Sequence, residues 1–136
     1  MYPDIRNATV NGRKATELVD REWINNEFTP RVQQRGAEII KLRKSSSAAS
    51  AGSAAIDHMR DWVVGSKEMQ SISFYSDGKT YGIPEGLIFS FPVTTKNGKY
   101  EVVKGLNLED EDSRQRIKKT VDELLSERQA VEHLIK

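Results

Sequence analysis

No cysteine occurs in this 136-residue chain, which excludes disulfides and thiolate metal ligands and suits a reducing compartment. Charge of a single sign is lacking too. Lys and Arg total 21 against 20 Asp and Glu, a formal net charge of +1, so no global field gathers nucleic acid or draws the chain onto an anionic membrane. No apolar run approaches the roughly 20 residues a bilayer-spanning helix needs, and Met1 leads into Tyr2-Pro3-Asp4 rather than a basic and then apolar leader. These absences predict a soluble, cytoplasmic protein with no nucleic-acid or membrane partner. Also missing are a G-x-G-x-x-G turn, a phosphate loop, a nucleophile elbow and any zinc spacing. By itself the chain contains no complete active site.

What is present reads as one α+β domain, of a length that buries roughly two-thirds of its unfolded surface around a single core. Asn11-Gly12, Asp77-Gly78 and Asn97-Gly98 are dipeptides that supply positive φ at both centres of a tight hairpin turn. The flanking segments "QSISFYS", "GLIFSFPV" and "KYEVVKGL" are rich in aromatic and β-branched residues and too short for helices, so they read as antiparallel strands. Pro92 would cost its strand a ladder donor, which predicts an edge strand or a bulge there.

Helical periodicity fills the remainder. Ile24, Phe28, Val32, Gly36 and Ile39/Ile40 form one stripe on a 3.6-residue repeat. Pro30 predicts a break in it, with Thr29 as the N-cap of a second helix and Pro30 at its first position. In the C-terminal segment Ile117, Val121, Leu124, Val131 and Ile135 mark a face. The acids Glu109 to Asp112 stand at its start, near the positive end of the helix dipole.

The stretch "KSSSAASAGSAAIDH" from Lys44 to His58 has the composition of a linker, yet Ala49, Gly52, Ile56, Met59 and Val63 step by threes and fours. We therefore read a helix over Lys44 to Gly65, capped by Ser45 to Ser47, slender at its start and anchored in a core through Ile56, Met59, Trp62 and Val63. Free N–H groups at such a start suit an anion such as a carboxylate.

Other constellations have plainer readings. Asp57, His58 and Asp61 fall opposite the apolar stripe and read as a solvated face rather than a catalytic or metal cluster. His133 reads as a favourable charge near a helix C-terminus, and the Glu109–Asp112 run lacks the alternating acids and central glycine of a calcium loop. Arg31, Arg35, Lys41, Arg43 and Lys44 make one helix basic, but no aromatics interleave for base stacking. Arg31 and Arg35 share a face that can hold a carboxylate.

Several stretches just read, "VQQRGAEIIKLRKSSSAASA", "DHMRDWVVG", "SDGKTYGIPEGLIFSFPV" and the opening "YPD", together resemble the C-terminal half of the lactate/malate dehydrogenase family, on the side of its cytosolic-type malate dehydrogenases. The resemblance implies a substrate domain over residues 1–136, with a mixed, mainly antiparallel sheet and hairpins packed against long helices. It further implies an N-terminal NAD-binding domain absent from this chain, NAD as cofactor, malate and oxaloacetate as substrates, a place in the tricarboxylic acid cycle, and a homo-oligomer. In the family the catalytic histidine precedes the "YPD" segment, so no catalytic residue carries over, and neither His58 nor His133 takes its place. Ser46, Ser47 and Ala48 match the small hydroxyl-bearing start of the helix beside substrate and nicotinamide. Ser45 departs from the family's usual apolar residue, which leaves open which hydroxyl faces the cleft. Arg35 matches a helix near both cleft and subunit contact. No metal is implied, no tight NAD binding is expected of the fragment, and the isolated chain is expected to be inactive. The alternative is a non-catalytic interaction or assembly module.

Overall fold

The computed structural model describes residues 1–66 and 68–134, and the chain divides into two compact units, Met1–Ala51 and Gly52–Lys136. In the first, strands β1 (Thr9–Val10) and β2 (Arg13–Lys14) pair antiparallel across Asn11-Gly12. Their φ values of 51° and 78° are those of a type I′ turn, whose twist matches the strands it joins. The opening segment is pinned locally: Arg6 pairs with Asp4 at 2.6 Å and Gln33 donates to the Met1 carbonyl at 2.7 Å.

Pro30 does not break the helix. Helix α1 (Arg21–Trp23) runs through a π-helical turn (Ile24–Phe28) directly into α2 (Thr29–Arg43), and Phe28 and Thr29 both keep right-handed helical geometry. The predicted N-cap at Thr29 is therefore corrected. The Thr29 N–H reaches back five residues to the Ile24 carbonyl, and that widened turn makes room for a ring that would otherwise strike the carbonyl four residues earlier. Ile24, Phe28, Val32 and Ile39 are at least half-covered, as their spacing predicts, whereas Ile40 is exposed.

Lys44 is likewise corrected. It sits in the left-handed region (φ 59°) as the C-cap of α2, donating to Ile40 O at 2.8 Å, and α3 begins only at Ala48 and runs to Val64. The core anchoring expected of α3 is also smaller than its stripe predicts. Ile56, Met59 and Val63 are 71%, 57% and 57% exposed, and Trp62 alone of the four packs against the buried core.

The second unit carries that core. Strands β3 (Gln70–Tyr75), β4 (Ile88–Lys96) and β5 (Lys99–Val102) form an antiparallel sheet in that order. Two-residue alternation sends Ile72, Phe74, Phe89, Phe91, Val93 and Thr95 to one face. Phe91 and Val93 are 1% and 0% exposed, and Ile117, Val121 and Leu124 of α4 (Glu111–Val131) pack against them. Phe74 stacks on both Phe91 and Tyr100 with centroids 4.5 Å apart. Asp110 caps α4 by accepting from Ser113 N at 3.1 Å and Ser113 Oγ at 2.6 Å, with Glu111 and Asp112 in the first turn where acid offsets the dipole. Ile135, assigned to the same helical face, lies outside the described residues.

Two hairpin readings part company here. Asn97-Gly98 joins β4 to β5 with φ of 52° and 72°, another type I′ turn. Asp77-Gly78 makes no hairpin, because β3 and β4 are joined by the whole of residues 76–87. That connection is organised by Ser76, which is fully buried. Its N–H donates to Leu87 O, its carbonyl accepts from Gly86 N, and its hydroxyl donates to Ile83 O while accepting from Gly78 N.

Pro92 lies neither on an edge nor at a bulge. It occupies the central strand, opposite Ser71 of β3. On the other side the β4–β5 register places it opposite Val103, one step past the end of β5. Val103 N donates to Pro92 O at 2.9 Å, but proline cannot return the bond, which would orphan the Val103 carbonyl. The Tyr81 hydroxyl donates to it instead, at 2.5 Å. Tyr81 and Gly82 reach that position through a turn at φ of 52° and 66°, closed by Ile83 N donating to Thr80 O.

Candidate functional site

Helix ends decide where the small-residue segment presents its hydroxyls. Ser46 is exposed and non-helical, Ser47 is partly covered, and Ala48 is the exposed first residue of α3. Ser47 closes the first turn through its backbone: its carbonyl accepts from Ser50 N at 3.0 Å, Ala51 N at 3.2 Å and Ser50 Oγ at 2.9 Å. Ser46 thus stands two residues before the start of a 17-residue helix, whose first N–H groups are donors of a kind suited to a carboxylate or amide oxygen. Arg35 is not joined to this set. Its guanidinium pairs with Glu38 at 2.7 Å on the exposed surface of α2, an arrangement of small stabilising value.

The opposite end of α3 is built to stay put. Gly65 N returns to Asp61 O at 3.0 Å, the Thr95 hydroxyl donates to the same carbonyl at 2.6 Å, and Gly98 N donates to Trp62 O at 2.9 Å. Ser66 N and the Thr95 carbonyl and hydroxyl complete the clasp. Two of the last carbonyls of α3, those of Asp61 and Trp62, are therefore taken up by the β4–β5 hairpin. Gly65 is required at this point, since its φ is +112° and an added Cβ would lie 3.0 Å from Thr95 O. Asp61 differs from the solvated role predicted for it: its carboxylate accepts from Gln70 Nε2 at 2.8 Å and is partly covered. Asp57 and His58 do face solvent. The position of Asp61, one turn before a helix-ending glycine, is the signal in the sequence that sets it apart from them.

The remaining charged clusters are internally engaged. Glu109 pairs with Arg114, Asp110 caps α4, Asp112 pairs with Arg116, and Asp122 with Lys118. Among the described residues no group of three or more His, Asp or Glu side chains could hold a metal ion, and no helix is long and apolar enough to cross a membrane. A groove of about 530 Å3 beside α4 is lined by Leu87, Ile88, Leu124 and Val131. Its one guanidinium, on Arg128, already donates to Glu85 O, so the groove offers no cationic pair to an anionic ligand. Hydroxyl and N–H donors of the kind at the start of α3 can orient a polar group.

Comparison with known proteins gives this arrangement its context. Residues 1–135 match the lactate/malate dehydrogenase, alpha/beta C-terminal domain family. A malate dehydrogenase of Corynebacterium efficiens is 52% identical over 134 residues, covering 98% of this chain and 41% of that protein. The crystal structure of malate dehydrogenase from Naegleria fowleri superposes with a TM-score of 0.90 at 48% identity, over 98% of this chain and 42% of that one. Lactate dehydrogenase of Trichomonas vaginalis, solved in complex with NADH and oxamate, follows at a TM-score of 0.82 and 32% identity, over 93% and 40% of the two chains. The chain thus spans about two-fifths of the length of these relatives. With its antiparallel sheet, its hairpins and its long helices, it belongs to the lactate/malate dehydrogenase family, as a C-terminal domain of that family.

Proposed function

We propose that the chain is the substrate domain of an NAD-dependent malate dehydrogenase of the cytosolic type, working in the cytoplasm on malate and oxaloacetate beside an N-terminal NAD-binding domain. The observation that carries this reading is 52% identity to a malate dehydrogenase along 98% of the chain. The absence of cysteine supports the compartment.

NAD, when bound, would carry the hydride, taken from malate by its oxidised form and given to oxaloacetate by its reduced form. The residues here do not fit a whole dinucleotide, because no glycine-rich phosphate turn is among them. Their share is positional. Ser46, Ser47 and the start of α3 at Ala48 present hydroxyl and N–H donors toward substrate and nicotinamide, while the clasp at Asp61, Gly65 and Thr95 holds the other end of α3 on its own sheet. Arg35, held on the surface by Glu38, serves the cleft rim or a subunit contact. Neither histidine lies in this constellation, so the proton must be handled by a residue outside it. General acid–base catalysis contributes about 10² to 10⁴ in rate, and correct placement of two reactants contributes more. The isolated chain is therefore inactive.

Mixing the purified chain with NADH and oxaloacetate should give turnover at the level of buffer, and adding a matching N-terminal half should restore it. Turnover by the chain alone would overturn the inactive reading. Restored turnover that survives replacing Ser46 and Ser47 together by alanine would remove their assigned role. A second reading, a non-catalytic assembly module, is favoured by one observation: the exposed Ile56, Met59 and Val63 on α3, an apolar stripe suited to association. It gains if the N-terminal half restores nothing and the chain self-associates, as a homo-oligomer, in light scattering.

A further inference from the structure

The chain contains the same reactive dipeptide twice in the same geometry but in two environments. Asn11-Gly12 and Asn97-Gly98 both sit at the centre of type I′ turns, with φ of 51° and 78° in one and 52° and 72° in the other, and all four residues are exposed. Asparagine before glycine converts without any catalyst. The glycine nitrogen attacks the asparagine side-chain carbonyl carbon, forming an N–Cγ bond. The Cγ–Nδ2 bond breaks, and ammonia departs carrying the proton lost from that nitrogen. Water then opens the cyclic imide at either carbonyl, leaving aspartate or isoaspartate. The step requires a free glycine N–H and a backbone able to leave the turn, since Asn Cγ must swing onto the nitrogen that follows it.

Both requirements separate the two sites. Gly98 N donates to the Trp62 carbonyl at 2.9 Å, and its turn closes a four-pair ladder from Val93↔Val102 to Lys96↔Lys99 that is locked to α3 through Thr95, Ser66 and Asp61. Gly12 has no such bond among the described residues, and an added Cβ there would meet nothing within 4 Å. Its ladder has two pairs, Thr9↔Lys14 and Val10↔Arg13, and a two-stranded hairpin of that size opens at low cost.

We propose that Asn11 is a site of spontaneous modification in the folded protein, converting to aspartate and isoaspartate, and that Asn97 is protected by the Gly98-to-Trp62 bond. Isoaspartate at position 11 adds a carboxylate and one methylene to the main chain, which abolishes the I′ geometry and releases the β1–β2 hairpin. The inference is independent of the catalytic reading above.

The test is incubation of the full chain at mildly alkaline pH and body temperature, with peptide-level mass spectrometry following amide-to-acid conversion at each asparagine. A parallel sample is held in concentrated urea. Conversion at Asn11 should exceed that at Asn97 roughly tenfold or more in the folded chain, through the extra hydrogen bond and the larger opening at Asn97. In urea the two rates should come within about twofold, since both are then unstructured Asn-Gly pairs of similar charge. Equal rates in the folded chain, or no conversion at Asn11, would overturn the proposal. So would a difference that persists undiminished in urea, which would locate the cause in local sequence rather than in structure. An Asn11→Gln variant should abolish the mass change at position 11 and leave Asn97 as slow as before.

Discussion

The Tyr81 hydroxyl offers the sharpest test of how this sheet tolerates a proline at its centre. Val103 O accepts from Tyr81 and would, in a proline-free ladder, have accepted from residue 92. Tyr81→Phe removes the donor without changing ring packing. A typical hydrogen bond contributes about 1 kcal/mol net, and a stranded buried acceptor costs about 1 to 3. Tyr81 and Val103 are both only partly covered, so water repays some of the loss and the expected cost lies near 1 to 1.5 kcal/mol by the same scale. Urea unfolding should therefore show a lower midpoint at unchanged slope. The decisive comparison is Pro92→Val, which returns an N–H to the position facing that carbonyl. In the P92V background, Tyr81→Phe should cost less than half as much, a coupling of about 0.5 to 1 kcal/mol for a direct pair sharing one acceptor. Equal costs in both backgrounds would refute the idea that the phenol compensates for the proline.

Thr95→Val deletes the hydroxyl between α3 and β4, but Asp61 O keeps Gly65 N and Ser66 N keeps Thr95 O; the loss should be about 1 kcal/mol rather than 3, with faster exchange of the Ser66 amide by NMR. Asp110→Ala removes the α4 cap and should lower stability by about 1 to 2 kcal/mol in denaturant titration, whereas Asp110→Asn, which keeps an acceptor, should cost only a few tenths. Ile56→Glu, on the exposed stripe of α3, should leave the unfolding free energy within about 0.5 kcal/mol while reducing self-association in light scattering.

Much of the architecture was legible from residue order. Asn11-Gly12 and Asn97-Gly98 announced their hairpins because two consecutive positive φ angles are a local property of those side chains. The acids before Ile117 announced the start of α4, and the three-and-four spacing of Ala49 to Val63 announced a helix where composition alone suggested a linker. The serine run was read as part of that helix, whereas it precedes a start at Ala48. Failures came where a second segment had to answer. Pro30 looked like a break until a π turn made room for it, and Asp77-Gly78 looked like a hairpin although Ser76 gathers the whole connection around itself.

What the sequence determined by itself, then, is most of the helices and strands and two of the three expected tight hairpins, since propensity, period and φ preference act within a few residues of their source. Tertiary structure alone decided that a proline could occupy the middle strand, that Asp61 joins a clasp while Asp57 and His58 face water, and that Trp62 is covered while Ile56, Met59 and Val63 are not. The physical reason is that an orphaned carbonyl or an apolar face is satisfied by whatever segment folds against it. The partner for Val103 came from Tyr81, |i−j| = 22, and no local pattern encodes that distance.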